Sequence, residues 1–142
     1  RDRISVVFSS HEPETVLRQA DHVICLHAGR VVFQGVTREL YDSPPSRFVG
    51  EFLGPVNWFE TEDVKLFLSE DETLSEFVAV RPERLWVTAD DASRLQLVDT
   101  PFRGGYAESV VKHIDSGKSR TVMHQMMENM PGPGQRVRMR IQ

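Results

Sequence analysis

The sequence predicts an α+β protein, in which mixed helices and strands occupy residues 1–54 and short strands occupy residues 55–142. The first part alternates β-branched runs with helix start and stop signals. The second part consists of short apolar runs separated by Gly- and Pro-containing turns, a pattern typical of a small all-β barrel or sandwich. The Gly54-Pro55 step ends the last predicted helix, and a domain boundary is expected there.

Composition limits the function classes. The chain has 142 residues, 39% hydrophobic, with a net charge of −4, and it lacks the run of about 20 apolar residues that a membrane-spanning helix needs. Cys25 is the single cysteine, within an apolar stretch, and is predicted to be a buried thiol. The first predicted strand begins almost at residue 1, and no initiator methionine precedes it. We therefore expect the chain to be the tail of a larger protein.

Residues 1–54 contain a predicted strand, a helix, a hairpin and two further short helices. Residues 4–8 form an apolar, β-branched run that predicts a buried strand. Pro13 lies between two glutamates, as in the first turn of many helices. Residues 22–33 predict a hairpin whose turn needs the positive φ of Gly29. Thr37 is predicted to be the N-cap of the first short helix, and Ser46 is predicted to begin the second.

Residues 55–142 contain at least seven predicted strands. They lie at residues 64–68, 77–80, 85–87, 94–98, 106–114, 120–123 and 136–141. Arg136, Arg138 and Arg140 alternate with apolar residues in the last of these. This alternation indicates that the arginines form the solvent face of one strand. We favour this interpretation over a nucleic-acid interface.

The candidate catalytic residue is His11. It follows the first predicted strand at its carboxyl end, where α/β sheets bind ligands. A metal site formed by His11, Asp21, His22 and His27 is the alternative, but their spacing matches no metal-binding motif. No metal is therefore expected.

The stretch from residue 7 to residue 54 resembles the carboxyl-terminal end of an ABC-transporter ATPase domain. The matching residues are Ser10, His11, Glu12, Glu14, Leu17, Ala20, Asp21, Ile24, Gly29, Arg30, Gln34, Gly35, Glu39, Leu40, Tyr41, Pro44, Phe48, Val49, Phe52, Leu53 and Gly54. Glu12 stands where this family usually has Asp, and His22 where it usually has Arg. Pro13 and Thr15 are also unusual at the start of the helix.

Residues 55–142 resemble the accessory β domain, called TOBE, of bacterial import ATPases of the sulfate, polyamine, iron, molybdate and maltose type. The matching segments are Val80-Arg81-Pro82-Glu83, Gly104-Gly105 with the strand after it, and Pro133-Gly134-Gln135-Arg136-Val137. The resemblance implies an OB-like barrel. Arg81, Pro82 and Glu83 form its structural or regulatory motif, with a structural corner favoured over a small-anion site.

The resemblance also implies a function for the larger protein, which would use ATP and Mg²⁺ to drive solute uptake. In that protein, the histidine at the position of His11 is the switch residue that faces the γ-phosphate. The implied partners are a transmembrane permease and a second ATPase subunit, at the cytoplasmic face of the membrane, with no nucleic acid. The sequence contains no phosphate loop and no signature peptide, so this chain alone is expected to bind no nucleotide and to have no ATPase activity.

Two alternatives stay open at this stage. The chain could be a non-catalytic module that senses a small anion or sugar, or one that serves dimerisation. The methionine-rich residues 123–130 either fill a core or loop or form a subunit interface. The second case implies a homodimer through the β domain.

Overall fold

The computed structural model describes residues 4–68, 77–125 and 130–142. The chain divides into two compact units, residues 1–54 (unit 1) and residues 55–142 (unit 2). Both helices and strands are present, and the predicted α+β class is confirmed. None of the helices in the described ranges is long and apolar enough to cross a membrane.

Unit 1 is a helix, a two-stranded antiparallel hairpin and two further short helices. Its elements are α1 (Pro13–Gln19), β1 (His22–His27), β2 (Arg30–Val36), α2 (Thr37–Asp42) and α3 (Arg47–Phe52). The turn pairs His27 with Arg30, and Ala28 and Gly29 both have positive φ, as a two-residue hairpin turn requires. The predicted hairpin is thus confirmed. Its core is small and consists of Leu40, Val49 and Leu53, with half-buried neighbours.

Two local predictions for unit 1 are wrong. Residues 4–8 form no strand, and Val7 is 99% exposed. A strand needs a neighbour for its backbone hydrogen bonds, and none of the described strands pairs with this segment. Thr37 is the first residue of α2, and Val36 occupies the N-cap position. The Thr37 N–H continues the β pairing by donating to the Asp21 carbonyl, 2.9 Å away.

Unit 2 is built on a five-stranded antiparallel sheet. Its elements are β3 (Asn57–Glu60), α4 (Thr61–Phe67), β4 (Phe77–Val80), a 3-10 turn (Pro82–Arg84), β5 (Leu85–Ala89), β6 (Leu95–Asp99), β7 (Ala107–His113), β8 (Ser119–His124) and β9 (Arg136–Ile141). The sheet order is β5-β9-β6-β7-β8, and β3 pairs with β4 separately. One apolar cluster, which includes Phe59, Leu97, Val111 and Val137, fills the unit.

The strand predicted at residues 64–68 is wrong, because most of this stretch lies in helix α4. Glu60 and Asp63 form a capping box, and Glu62 adds a further negative charge in the first turn. Val64, Phe67 and Leu68 have the i, i+3, i+4 spacing of a helical face. Val64, Leu66 and Leu68 also have the alternation of a strand, so the apolar pattern fits either a strand or a helix. The capping box favours the helix.

Candidate functional site

His11 lies in the loop immediately before α1 and is exposed to solvent. The loop is held by a local turn, in which the Glu12 N–H donates to the Ser10 hydroxyl at 3.0 Å. The Glu12 carboxylate then accepts from the Thr15 hydroxyl, also at 3.0 Å. Pro13 begins the helix, as predicted. The Ser10–Glu12 turn and the start of α1 therefore hold the backbone around His11, and its imidazole remains accessible to solvent.

The other predicted metal-ligand candidates lie along the hairpin. Asp21 precedes β1, and His22 and His27 are its first and last residues. The His27 ring packs against Phe48, with 5.3 Å between ring centroids. Across the described ranges, no group of three or more His, Cys, Asp or Glu side chains is arranged to hold a metal ion.

One face of the hairpin is apolar and exposed. Ile24 and Leu26 of β1 are 62% and 69% exposed, and Val31 of β2, which pairs with Leu26, is 56% exposed. The opposite face carries Cys25, which is buried as predicted. Exposed apolar residues grouped on a sheet face are typical of interaction surfaces.

The Arg81-Pro82-Glu83 motif forms a corner between β4 and β5. Arg81 is 2% exposed, and its guanidinium donates to the Pro55 carbonyl at 2.9 Å. Pro82 is fully buried and begins the 3-10 turn, whereas Glu83 points to solvent. A buried guanidinium on a backbone carbonyl, next to a buried proline, ties the start of the unit to its first sheet corner.

A charged network that the sequence did not reveal joins α4 to β8. The Asp63 carboxylate accepts from Lys118 Nζ at 2.7 Å and from Arg120 Nη2 at 2.8 Å. The Arg120 guanidinium also lies over the rings of Phe59 and Phe67, with its central carbon 5.0 and 4.7 Å from their centroids. Asp63 and Lys118 lie 55 positions apart in sequence, and no local pattern marks them as partners.

The network perturbs both titrating groups. Burial acts to raise the pKa of Asp63, but the hydrogen bonds from Lys118 and the Glu60 N–H, together with the charge of Arg120, outweigh it. The pKa of Asp63 therefore lies below its ordinary value of 3.8. The hydrogen bond to Asp63 raises the pKa of Lys118. Asp63 is thus ionised at neutral pH and is matched by two cations.

A second set of buried polar side chains joins β7 to β8. Ser109 and His124 are both buried, and Ser109 Oγ lies 2.8 Å from His124 Nε2. The Thr100 hydroxyl lies 3.2 Å from the same oxygen. This arrangement resembles a nucleophile beside a base, but Ser109 has no exposed surface. A substrate cannot reach it, so the pair is structural.

A shallow cavity of about 210 Å³ lies between α4 and β9, with Phe67, Leu95 and Met139 at its base. Asp90 and Arg138 pair across its rim at 2.7 Å. The other Asp90 oxygen accepts from the Ala92 N–H at 3.0 Å. Each Asp90 oxygen therefore already has a partner within the protein.

Comparison with known proteins finds relatives that share one description, import ATP-binding protein. The chain is 41% identical over 59 residues to a sulfate/thiosulfate import ATP-binding protein of Chromobacterium violaceum. The matched stretch covers 42% of this chain and 16% of that protein. It is 38% identical over 82 residues to a protein of the same description from Gloeobacter violaceus, covering 58% of this chain and 23% of that one. A spermidine/putrescine import ATP-binding protein of Aggregatibacter actinomycetemcomitans matches at 24% identity over 155 residues, 90% of this chain and 41% of that one.

No protein-family model matches the chain. The chain spans 16% to 41% of the length of these three relatives. All three are described as import ATP-binding proteins, and their names give two pairs of solutes, sulfate/thiosulfate and spermidine/putrescine. The predicted resemblance is therefore confirmed, and the chain is similar to the ATP-binding subunits of bacterial ABC importers for sulfate and polyamines.

Proposed function

We propose that this chain is part of the ATP-hydrolysing subunit of a bacterial importer, which couples ATP hydrolysis to solute uptake. The observation that carries the proposal is the 41% identity over 59 residues to an import ATP-binding protein. Similarity at 24% identity extends over 90% of the chain in another importer subunit, so both units are included.

Unit 1 is assigned to the carboxyl-terminal end of the ATPase domain. Its exposed Ile24, Leu26 and Val31, and the exposed residues 4–8, support this assignment. Large apolar side chains gain about 25 cal/mol for each Å² removed from water. In the longer protein, the rest of the ATPase domain would cover this surface and provide a strand neighbour for residues 4–8.

His11 is assigned as the switch histidine of that domain. Its exposed imidazole, on a loop fixed by Ser10 and the start of α1, can face a phosphate supplied by another part of the protein. Phosphoryl transfer depends on positioning and electrostatics, which one imidazole can provide by aligning the attacking water. ATP and Mg²⁺ would be held by residues outside this chain, and the chain alone would have no ATPase activity.

Unit 2 is assigned as a TOBE-like accessory domain with an OB-like barrel. The five-stranded antiparallel sheet and the short paired strands β3 and β4 support this assignment. The buried Arg81 and Pro82 favour a structural corner over a ligand site at this motif. A homodimer through this domain would involve the methionine-rich stretch, of which residues 126–129 lie outside the described residues. Met130 packs against the core.

The proposed partners follow from the importer assignment. They are a transmembrane permease and a second copy of the ATPase subunit, and the complex would lie at the cytoplasmic face of the cell membrane.

A chimera tests the proposal. This chain replaces the matching carboxyl-terminal segment of the Chromobacterium violaceum protein, and Mg²⁺-dependent ATP hydrolysis is measured. We expect activity in the chimera and a loss of about 100-fold in its His11→Ala variant, the scale of losing one positioned polar group at a reacting centre. His22→Ala is the matched control, since His22 is also an exposed histidine of unit 1, and it should retain activity.

Two results would contradict the proposal. One is a folded chimera that hydrolyses ATP equally well with and without His11, which removes the switch role. The other is Mg²⁺-dependent hydrolysis by the isolated chain, which would mean that the catalytic parts lie within it.

A further inference from the structure

The outer face of the sheet in unit 2 carries a row of basic residues. Arg136, Arg138 and Arg140 are exposed, whereas Val137 and Met139 between them are fully buried. Side chains two residues apart on a strand point the same way, about 6.8 Å from each other. The three arginine side chains therefore leave β9 on the same face at this regular spacing.

The strand register extends this row to a fourth cation. Gln96 of β6 pairs with Arg136 on one side and with Lys112 of β7 on the other. Lys112 is exposed and belongs to the same outer face, because its neighbours Val111 and His113 are buried. On the far side of β9, Trp86 lies opposite Arg140, so an indole borders the end of the row.

The basic charge of this face is only partly neutralised. Arg138 pairs with Asp90 at 2.7 Å, and Arg136 donates to the Asp91 carbonyl at 3.2 Å. Within the described parts of the chain, Arg140 and Lys112 have no ion pair. The patch is thus positive, on a chain whose net charge is −4.

We propose that this face binds an acidic polypeptide segment in an extended conformation, supplied by another protein. Alternate side chains of an extended segment repeat at the same spacing as the arginines of β9, so carboxylates at every second position would meet successive guanidinium groups. The fork of an arginine matches a carboxylate in bidentate geometry. This inference goes beyond the importer assignment and does not depend on it.

The size and borders of the patch favour a short acidic segment over a long polyanion. The row comprises four cations, and two acidic residues contact it: Asp90 pairs with Arg138, and the Asp91 carbonyl accepts from Arg136. A nucleic acid or an anionic membrane would extend past the patch into the negative field of the rest of the chain. A segment of a few carboxylates avoids that repulsion.

Fluorescence anisotropy with the full chain tests the proposal. The probe is a fluorescein-labelled nine-residue peptide with glutamate at alternate positions and threonine between them. We expect saturable binding that weakens as salt is raised. The double variant Arg140→Gln/Lys112→Gln should weaken binding about fivefold, the combined effect of two exposed charge pairs.

The matched control is Arg38→Gln, which removes one cation from a side chain that is 92% exposed in unit 1 and should leave binding unchanged. A scrambled peptide with its glutamates clustered at one end should bind more weakly, which separates strand-like matching from charge alone.

Four outcomes would overturn the proposal. The first is no saturable binding, and the second is equal weakening by Arg38→Gln. The third is tighter binding of a twelve-residue oligothymidylate or of phosphatidylserine vesicles, which would identify a nucleic acid or a lipid surface as the occupant. The fourth is a dimer in sedimentation that the double variant abolishes, which would identify a second copy of the chain.

Discussion

Unit 1 and unit 2 bury their apolar side chains to different degrees. In unit 2, Phe59, Leu97, Val111 and Val137 are among many residues with no exposed surface. In unit 1, the core is a cluster of three buried residues, while Ile24 of the hairpin remains 62% exposed. Small cores rarely support a domain alone. Unit 2 thus has an interior that can hold itself together, whereas unit 1 presents a surface suited to a further element.

Unit 2 also buries polar side chains that are paired. Asp63, Ser109 and His124 each have a hydrogen-bond partner. A buried polar group is expensive unless it is paired. The paired groups should therefore carry measurable stability in unit 2, and the two tryptophans, Trp58 and Trp86, report on that unit alone.

The largest expected effect is at the core of unit 2. Phe67→Ala should lower the free energy of unfolding by about 3–5 kcal/mol, because it removes a buried ring and leaves a cavity. Phe67 also contacts Phe59, His113 and Arg120. Urea unfolding followed by tryptophan fluorescence gives the value. Phe48→Ala in unit 1, where Phe48 is 46% exposed, is the control. Its effect is measured by hydrogen exchange of the α3 amides, because unit 1 has no tryptophan. An equal loss in both variants would remove the contrast between the units.

Asp63→Asn should have the next largest effect. It leaves Arg120 without its carboxylate and should cost about 3 kcal/mol, in the range for breaking a buried ion pair. Lys118→Gln should cost less, because the Lys118 side chain is 44% exposed. If Lys118→Gln proves as costly as Asp63→Asn, the buried contact with Arg120 is not the main stabilising one.

The pH dependence of this network has a defined sign. Because the pKa of Asp63 is lower in the folded state than its ordinary 3.8, the network contributes fully above pH 3.8 and is lost as pH falls through the folded value. The difference in unfolding free energy between the wild type and Asp63→Asn should therefore shrink below pH 3.8. A difference that stays constant from pH 6 to pH 2 would contradict the ionic assignment.

Ser109→Ala should have a smaller effect, about 1–2 kcal/mol. The substitution leaves Nε2 of buried His124 without its partner at 2.8 Å. Ser119→Ala on the neighbouring strand is exposed and should be nearly neutral. Equal values for the two serines would mean that the buried pair adds nothing to stability.

The sequence predicted the elements whose signals are local. The hairpin turn at Gly29 and the alternation of arginines along β9 were visible because turn chemistry and strand period act over a few residues. The network of Asp63 with Arg120 was not, because its members meet only after the chain folds. Residues 4–8 have a strand composition, but a strand also needs a neighbour, and sequence composition carries no information about whether one is present.

The smallest expected effect lies on the exposed face of the hairpin, and it tests the contrast most directly. Ile24→Ser should change the stability of this chain by less than about 0.5 kcal/mol, since a side chain that is 62% exposed has little burial to lose. Because unit 1 has no tryptophan, hydrogen exchange of β1 amides is the appropriate measurement. In the chimera described above, the same substitution should destabilise the ATPase domain by more than 1 kcal/mol, because the face would there be covered. A neutral effect in both proteins would mean that nothing packs on this face, and the assignment of unit 1 to a larger domain would lose its structural support.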